Sequence, residues 1–141
     1  GELSLSQVQD AVLNVARYDL DGLREALLSG DAARLTRTLD GLQQEGEAPP
    51  LVLWAMTEEI RALAIVKAGQ KENKALDQLL KEARVWGPRQ APFRRALQRL
   101  QADTVNTALT DAARIDRLIK GIEIGEIWND FLRLGLRLCA R

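Results

Sequence analysis

The sequence predicts an all-α fold, a bundle of about eight helices in one domain. Three observations carry that expectation. Apolar residues recur at three- and four-residue steps along most of the chain, the spacing of a single helix face. Strand signals are missing, since aromatics are 4% of the 141 residues and no alternating run of β-branched residues occurs. Short segments rich in Gly, Pro, Asp and Asn interrupt the periodicity and mark turns between helices.

Each element follows from local chemistry. The first helix is expected to start at Ser4, with Gln7 completing a capping box and Val8, Ala11, Val12, Val15 and Ala16 forming its face. Asp19 caps a short second helix through Leu20, Leu23, Ala26 and Leu27, stopped by Gly30. Asp31 caps a third, with Leu35, Leu39 and Leu42 inward and Gly46 at its end. Pro49 and Pro50 open the fourth, because the first turn has no partner for an N–H that proline lacks. From Leu51 to about Ala68 that helix is apolar nearly all round, interrupted by Thr57, Glu58, Glu59 and Arg61. Such a helix belongs inside a bundle, and its charges make it a poor membrane span.

Gly69 to Asn73 reads as a polar loop, followed by a fifth helix on Leu76, Leu79, Leu80 and Ala83. Gly87-Pro88 breaks the chain, and Pro92 lies in the first turn of a sixth helix carrying Phe93, Ala96, Leu97 and Leu100. A long seventh, capped near Asp103 or Thr104, has the stripe Val105, Ala108, Leu109, Ala112, Ile115, Leu118 and Ile119. Gly121 and Gly125 bracket a turn. The last helix runs from Glu126 towards Cys139 on Ile127, Trp128, Phe131, Leu132 and Leu138. Glu126 and Asp130 near its start, and Arg133, Arg137 and Arg141 near its end, suit the helix dipole.

Composition removes whole classes of function. There is no histidine, so His acid–base chemistry, Ser–His triads and His metal sites are impossible in this chain. The single Cys139 forms no internal disulfide and suits a reducing cytosol. No signal-peptide pattern opens the chain, and a start at Gly1 reads as a processed protein or an excised fragment. Neither catalytic, cofactor nor metal residues are expected. Twenty basic and twenty acidic residues cancel, but unevenly along the chain. Residues 1–60 carry a net −7 and residues 61–141 a net +7.

The most charged stretch is Lys81 to Leu100, where Lys81, Arg84, Arg89, Arg94, Arg95 and Arg99 face one acid, Glu82. It reads as a solvated face, as a partner for the acidic first half of the chain, as a docking surface for another protein, or as a phosphate-binding patch. It lacks the interleaved aromatics of a single-strand stacking platform and has no evident recognition helix. Trp86, beside Gly87-Pro88, reads first as a plug for one end of the bundle and second as an interface anchor. Glu58 and Glu59 point about 100° apart and read as a solvated or ion-pairing face, not a carboxylate pair. Gly41 and Gly46 lack the Lys-Ser/Thr of a phosphate loop. Arg137 and Arg141 near Cys139 would lower its thiol pKa, yet without histidine it is no catalytic candidate.

Four stretches carry a resemblance. They are Val15-Ala16-Arg17-Tyr18-Asp19-Leu20; Ala26 to Asp31 with Leu39 to Glu47; Ala83-Arg84-Val85-Trp86 followed by Arg89; and Asp116-Arg117-Leu118-Ile119-Lys120-Gly121. In order and spacing the sequence resembles, from about Leu3 onwards, the C-terminal part of the bacterial DNA polymerase III delta-subunit family of clamp loaders. The resemblance implies a fragment, with residues 1–18 as the end of a lid domain or linker helix and residues 19–141 as a helical collar domain. It implies a non-catalytic oligomerisation module in the bacterial cytoplasm, joining tau/gamma and delta-prime subunits in the assembly that loads the sliding clamp onto primed DNA. Contact with the clamp would go through an absent N-terminal domain, and no cofactor or membrane is implied. The expected partner-binding residues are Arg84, Trp86, Arg89, Arg94, Arg95, Arg99, Arg133 and Arg137. The alternative is a helical nucleic-acid-binding domain using residues 81–99.

Overall fold

A computed structural model describes residues 4–140, except for the side chains of Ser6 and residues 8–18. In chain order the elements are α1 (Leu5–Ser29), α2 (Ala32–Gln44), α3 (Pro49–Lys71), α4 (Leu76–Glu82), a 3₁₀ turn (Gly87–Arg89), α5 (Gln90–Arg99), α6 (Ala102–Ile119) and α7 (Ile127–Cys139). No strand occurs among the described residues. The all-α expectation holds, with seven helices in place of about eight.

The missing boundary is Asp19. It lies inside α1 and starts nothing. No proline follows it before Gly30, and extending an existing helix adds one hydrogen bond per residue, whereas a new start costs a nucleus. The helix therefore runs to Gly30, which takes φ 74°. The expected face of Val8, Ala11, Val12, Val15 and Ala16 lies outside the described side chains.

Other starts match their local signals. Ser4 Oγ accepts from the Gln7 N–H at 3.2 Å, and the Ser4 N–H donates to Gln7 Oε1 at 2.9 Å. Asp31 Oδ1 accepts from the Arg34 N–H at 3.0 Å. α3 begins at Pro49 but continues to Lys71, absorbing Gly69, which the sequence placed in a loop. α6 starts at Ala102, one or two residues before the expected cap; Asp103 sits in its first turn.

α3 is the central rod, packed against α1, α4 and α6. Val52, Leu53, Met56, Ile60, Leu63 and Val66 are buried along it. Phe93 of α5 and Phe131 of α7 are fully buried, and Trp128 meets Phe131 edge-on, with centroids 5.4 Å apart. Burying such a side chain contributes about 1.5–3 kcal/mol each, so these stripes supply the drive for folding. Among the described residues no helix is long and apolar enough to cross a membrane.

Two helices approach closely because one carries glycine. α7 lays Gly135 against the fully buried Leu35 of α2, and a Cβ there would overlap the Leu35 methyls. Alanine is the better helix former by about 1 kcal/mol, yet overpacking costs about 1–3 kcal/mol. Gly135→Ala should therefore lower stability, by up to about 2 kcal/mol on balance of those two effects. Urea unfolding checks this, and a gain in stability would mean that α2 and α7 sit farther apart.

Candidate functional site

The charged network is centred on Glu59. Val52, Met56, Glu59, Leu63 and Val66 recur at steps of three and four, so α3 carries this carboxylate inward on its apolar stripe. Glu59 has no exposed surface. Arg89, at the end of the 3₁₀ turn, reaches it through Nη2, 2.8 Å from Oε1 and 2.7 Å from Oε2. Arg24 of α1 reaches it through Nη1 at 3.3 Å and holds Glu58 through Nη2 at 2.9 Å. The Arg24 guanidinium also lies 4.8 Å from the Trp54 ring centroid. One buried carboxylate thus ties α1, α3 and the turn before α5 together. A hollow of about 450 Å³ opens over this network, lined by Arg24, Arg34, Glu59, Arg89 and Arg95 among others.

The ion-pairing reading of Glu58 and Glu59 holds, while the solvated one fails for Glu59. Glu58 is half-exposed, but Glu59 is in the core. Arg24, Arg34 and Glu59 were absent from the expected site; the available signal was the place of Glu59 on the stripe from Val52 to Val66.

The expected arginines separate into two groups. Arg89, Arg94, Arg99, Arg133 and Arg137 have partners within the chain. Arg94 pairs with Asp77 at 3.0 Å, Arg137 with Asp111 at 2.7 Å, and Arg133 with Asp130 at 3.6 Å. Arg99 forks between two helix ends: Nη1 donates to the Leu138 and Ala140 carbonyls at 2.6 and 3.3 Å, and Nη2 to those of Leu27 and Leu28 at 3.4 and 3.3 Å. Arg99, Arg133 and Arg137 line a groove of about 680 Å³ between the α5–α6 corner and α7. Arg89 and Arg95 belong to the Glu59 hollow instead, so the expected residues do not form one patch.

Arg84, Trp86 and Arg95 are exposed, and neither Arg84 nor Arg95 makes a side-chain ion pair among the described residues. The exposure of Trp86, 60%, overturns its expected role as a plug. The reason is the end of α4. The Val85 N–H donates to the Leu80 carbonyl at 2.8 Å and the Arg84 N–H to that of Lys81 at 3.1 Å, a Schellman closure that buries Val85 and turns the chain outward at Trp86. Arg84 takes φ 59° at the closing position, where glycine is usual. A left-handed non-glycine residue costs about 1–2 kcal/mol.

Cys139 is half-buried, and burial pushes its thiol pKa up; Arg99, not Arg137, is the cation that partly offsets this. The expected lowering is overturned because Arg137 turns to Asp111. Cys139 should react with iodoacetamide at pH 8 more slowly than a small free thiol, and an equal or faster rate would contradict its burial. Among the described residues no group of His, Cys, Asp or Glu is arranged to hold a metal ion.

The family model described as "Processivity clamp loader gamma complex DNA pol III C-term" matches residues 20–141. DNA polymerase III subunit delta of Escherichia coli (strain K12) is 29% identical over 141 residues, covering all of this chain and 41% of that protein. DNA polymerase III subunit delta of Haemophilus influenzae is 31% identical over 123 residues, covering 82% of this chain and 36% of that protein. The chain thus spans well under half the length of either relative. With the matched region running from the middle of α1 through α7, the chain belongs to the clamp-loader family formed by the C-terminal region of DNA polymerase III delta.

Proposed function

We propose that this chain is the helical oligomerisation module, or collar, of a DNA polymerase III clamp loader's delta subunit. It does no chemistry of its own and helps assemble the complex that loads the sliding clamp onto primed DNA in the bacterial cytoplasm. Residues 1–18 end the lid domain and residues 19–141 are the module, with α1 carrying the chain between them. Its neighbours are tau/gamma and delta-prime subunits, while the clamp is reached through another part of the delta polypeptide.

The observation that carries this reading is the family match over residues 20–141, set beside Arg84, Trp86 and Arg95. An exposed Trp with two outward arginines is the composition enriched where interfaces concentrate their energy. Backbone strain at Arg84 is tolerated where a side chain is wanted for something other than folding. Arg84→Gly should raise stability by about 1 kcal/mol while weakening assembly; a stability loss would sink the strain argument.

Mixing the chain with purified tau/gamma and delta-prime subunits should give a stoichiometric complex on a sizing column. Separate elution, at concentrations where full-length delta assembles, would contradict the proposal. The partners of Arg89, Arg94 and Arg99 inside the chain argue against a phosphate-binding segment 81–99. A mobility-shift titration should show no salt-sensitive complex between about 50 and 200 mM salt, where phosphate binding weakens steeply.

A further inference from the structure

Four guanidiniums line the hollow over Glu59, and three of them are already held. Arg24 and Arg89 grip Glu59, Arg24 also holds Glu58, and Arg34 pairs with Glu25 at 3.0 Å. Those charges balance. Arg95, exposed on α5, is the guanidinium of the hollow left without a carboxylate among the described residues.

Donors are in surplus as well. Each guanidinium carries five N–H groups, and Arg24 and Arg34 spend only some of theirs inside the chain. Arg89 gives Nη2 to Glu59, while its enclosed Nε finds no acceptor. The ion pairs fix these groups in place before anything binds. A recess walled by preset donors, with one unmatched cation at its edge, is built to receive an anion, and a carboxylate meets an arginine through two parallel hydrogen bonds.

The remaining lining decides which anion fits. Asp21 and Glu25, both exposed on α1, share the hollow. Successive phosphates of a nucleic-acid strand would be repelled by them, and no row of unpaired cations leads away from Arg95. A lone carboxylate meets neither obstacle. Pro88 and Pro92 also line the hollow, and their fixed φ keeps that wall rigid. About 450 Å³ is room for a protruding side chain and its immediate neighbours. Arg89 Nη1 reaches the Arg84 carbonyl at 3.4 Å, which ties the segment bearing the exposed Trp86 to the same edge.

We infer that this hollow is the receptor for an acidic side chain projecting from a neighbouring clamp-loader subunit, with Arg95 as its counter-ion. The inference rests on the proposed collar role and adds the chemistry of the partner that Arg84, Trp86 and Arg95 meet.

Arg95→Glu should weaken binding to purified tau/gamma or delta-prime at least about tenfold, the effect of opposing a charge across an interface. It should not lower the unfolding temperature, because Arg95 holds no carboxylate within the chain. Arg95→Lys should keep the complex. A water-soluble carbodiimide should then join the introduced amine to an Asp or Glu of the neighbour, identified by peptide mass spectrometry. Changing that partner carboxylate to lysine should restore binding to Arg95→Glu. Equal binding by Arg95→Glu, or crosslinks confined to Asp21 and Glu25 of the same chain, would overturn the inference and leave the collar reading standing. So would an Arg95→Glu chain that loses affinity for a primed oligonucleotide but not for either subunit. A parent chain that binds neither subunit would sink the collar reading, and this inference with it.

Discussion

Replacing Glu59 with alanine should cost about 3–5 kcal/mol of folding stability, the usual penalty for stripping a buried ion pair of one partner. The carboxylate is fully buried and neutralises two guanidiniums from elements distant in sequence. Without it Arg89 loses both of its hydrogen bonds to α3, and Arg24 keeps only the half-exposed Glu58. The complementary change, Arg89→Ala, should cost less, about 1–3 kcal/mol, because Arg24 still neutralises the carboxylate. In urea the midpoint should fall with the slope unchanged. Equal costs for the two changes would mean that Arg24 does not compensate for Arg89, and a Glu59→Ala chain as stable as the parent would mean that the network adds nothing to the fold.

The second large effect is expected at Arg99. One guanidinium answers the last carbonyls of both α1 and α7, where the helix dipoles concentrate negative charge. A hydrogen bond to a charged group contributes about 1.5–3 kcal/mol, so Arg99→Ala should cost about 2–4 kcal/mol once both helix ends are counted. Arg99→Lys should restore less than half, since a single ammonium cannot fork between two ends. The approach is close: a Cβ at Gly30 would lie 2.9 Å from the Arg99 Cζ. Thermal unfolding of the three proteins separates these outcomes, and full rescue by lysine would contradict the forked geometry.

Both residues show where sequence reading succeeds and where it stops. Ser4 with Gln7, Asp31, Pro49 and the stripe Leu35, Leu39, Leu42 were legible, because caps and helix faces are decided within a few residues. Asp19 misled because a capping side chain marks a start only if the preceding helix has ended. Glu59 and Arg99 were hidden for another reason. The partners of Glu59 lie 30 and 35 residues away, and those of Arg99 lie 39 to 72 away. A run of arginines in sequence therefore looked like one surface, while the fold uses three of them to hold itself together or to complete local ion pairs. Trp86 was misplaced because its direction depends on the left-handed Arg84, which no periodicity announces.

Inward groups thus hold the fold, and the residues proposed for partner contact, Arg84, Trp86 and Arg95, are the outward ones. The direct test of that division is one set of variants read by two instruments. Arg89→Ala and Arg99→Ala should lower the unfolding temperature in calorimetry. The triple change Arg84→Ala, Trp86→Ala, Arg95→Ala should leave it unchanged and abolish co-elution with tau/gamma and delta-prime subunits on a sizing column. Unimpaired assembly by the triple variant, or a loss of its folding stability equal to that of Arg99→Ala, would contradict the division.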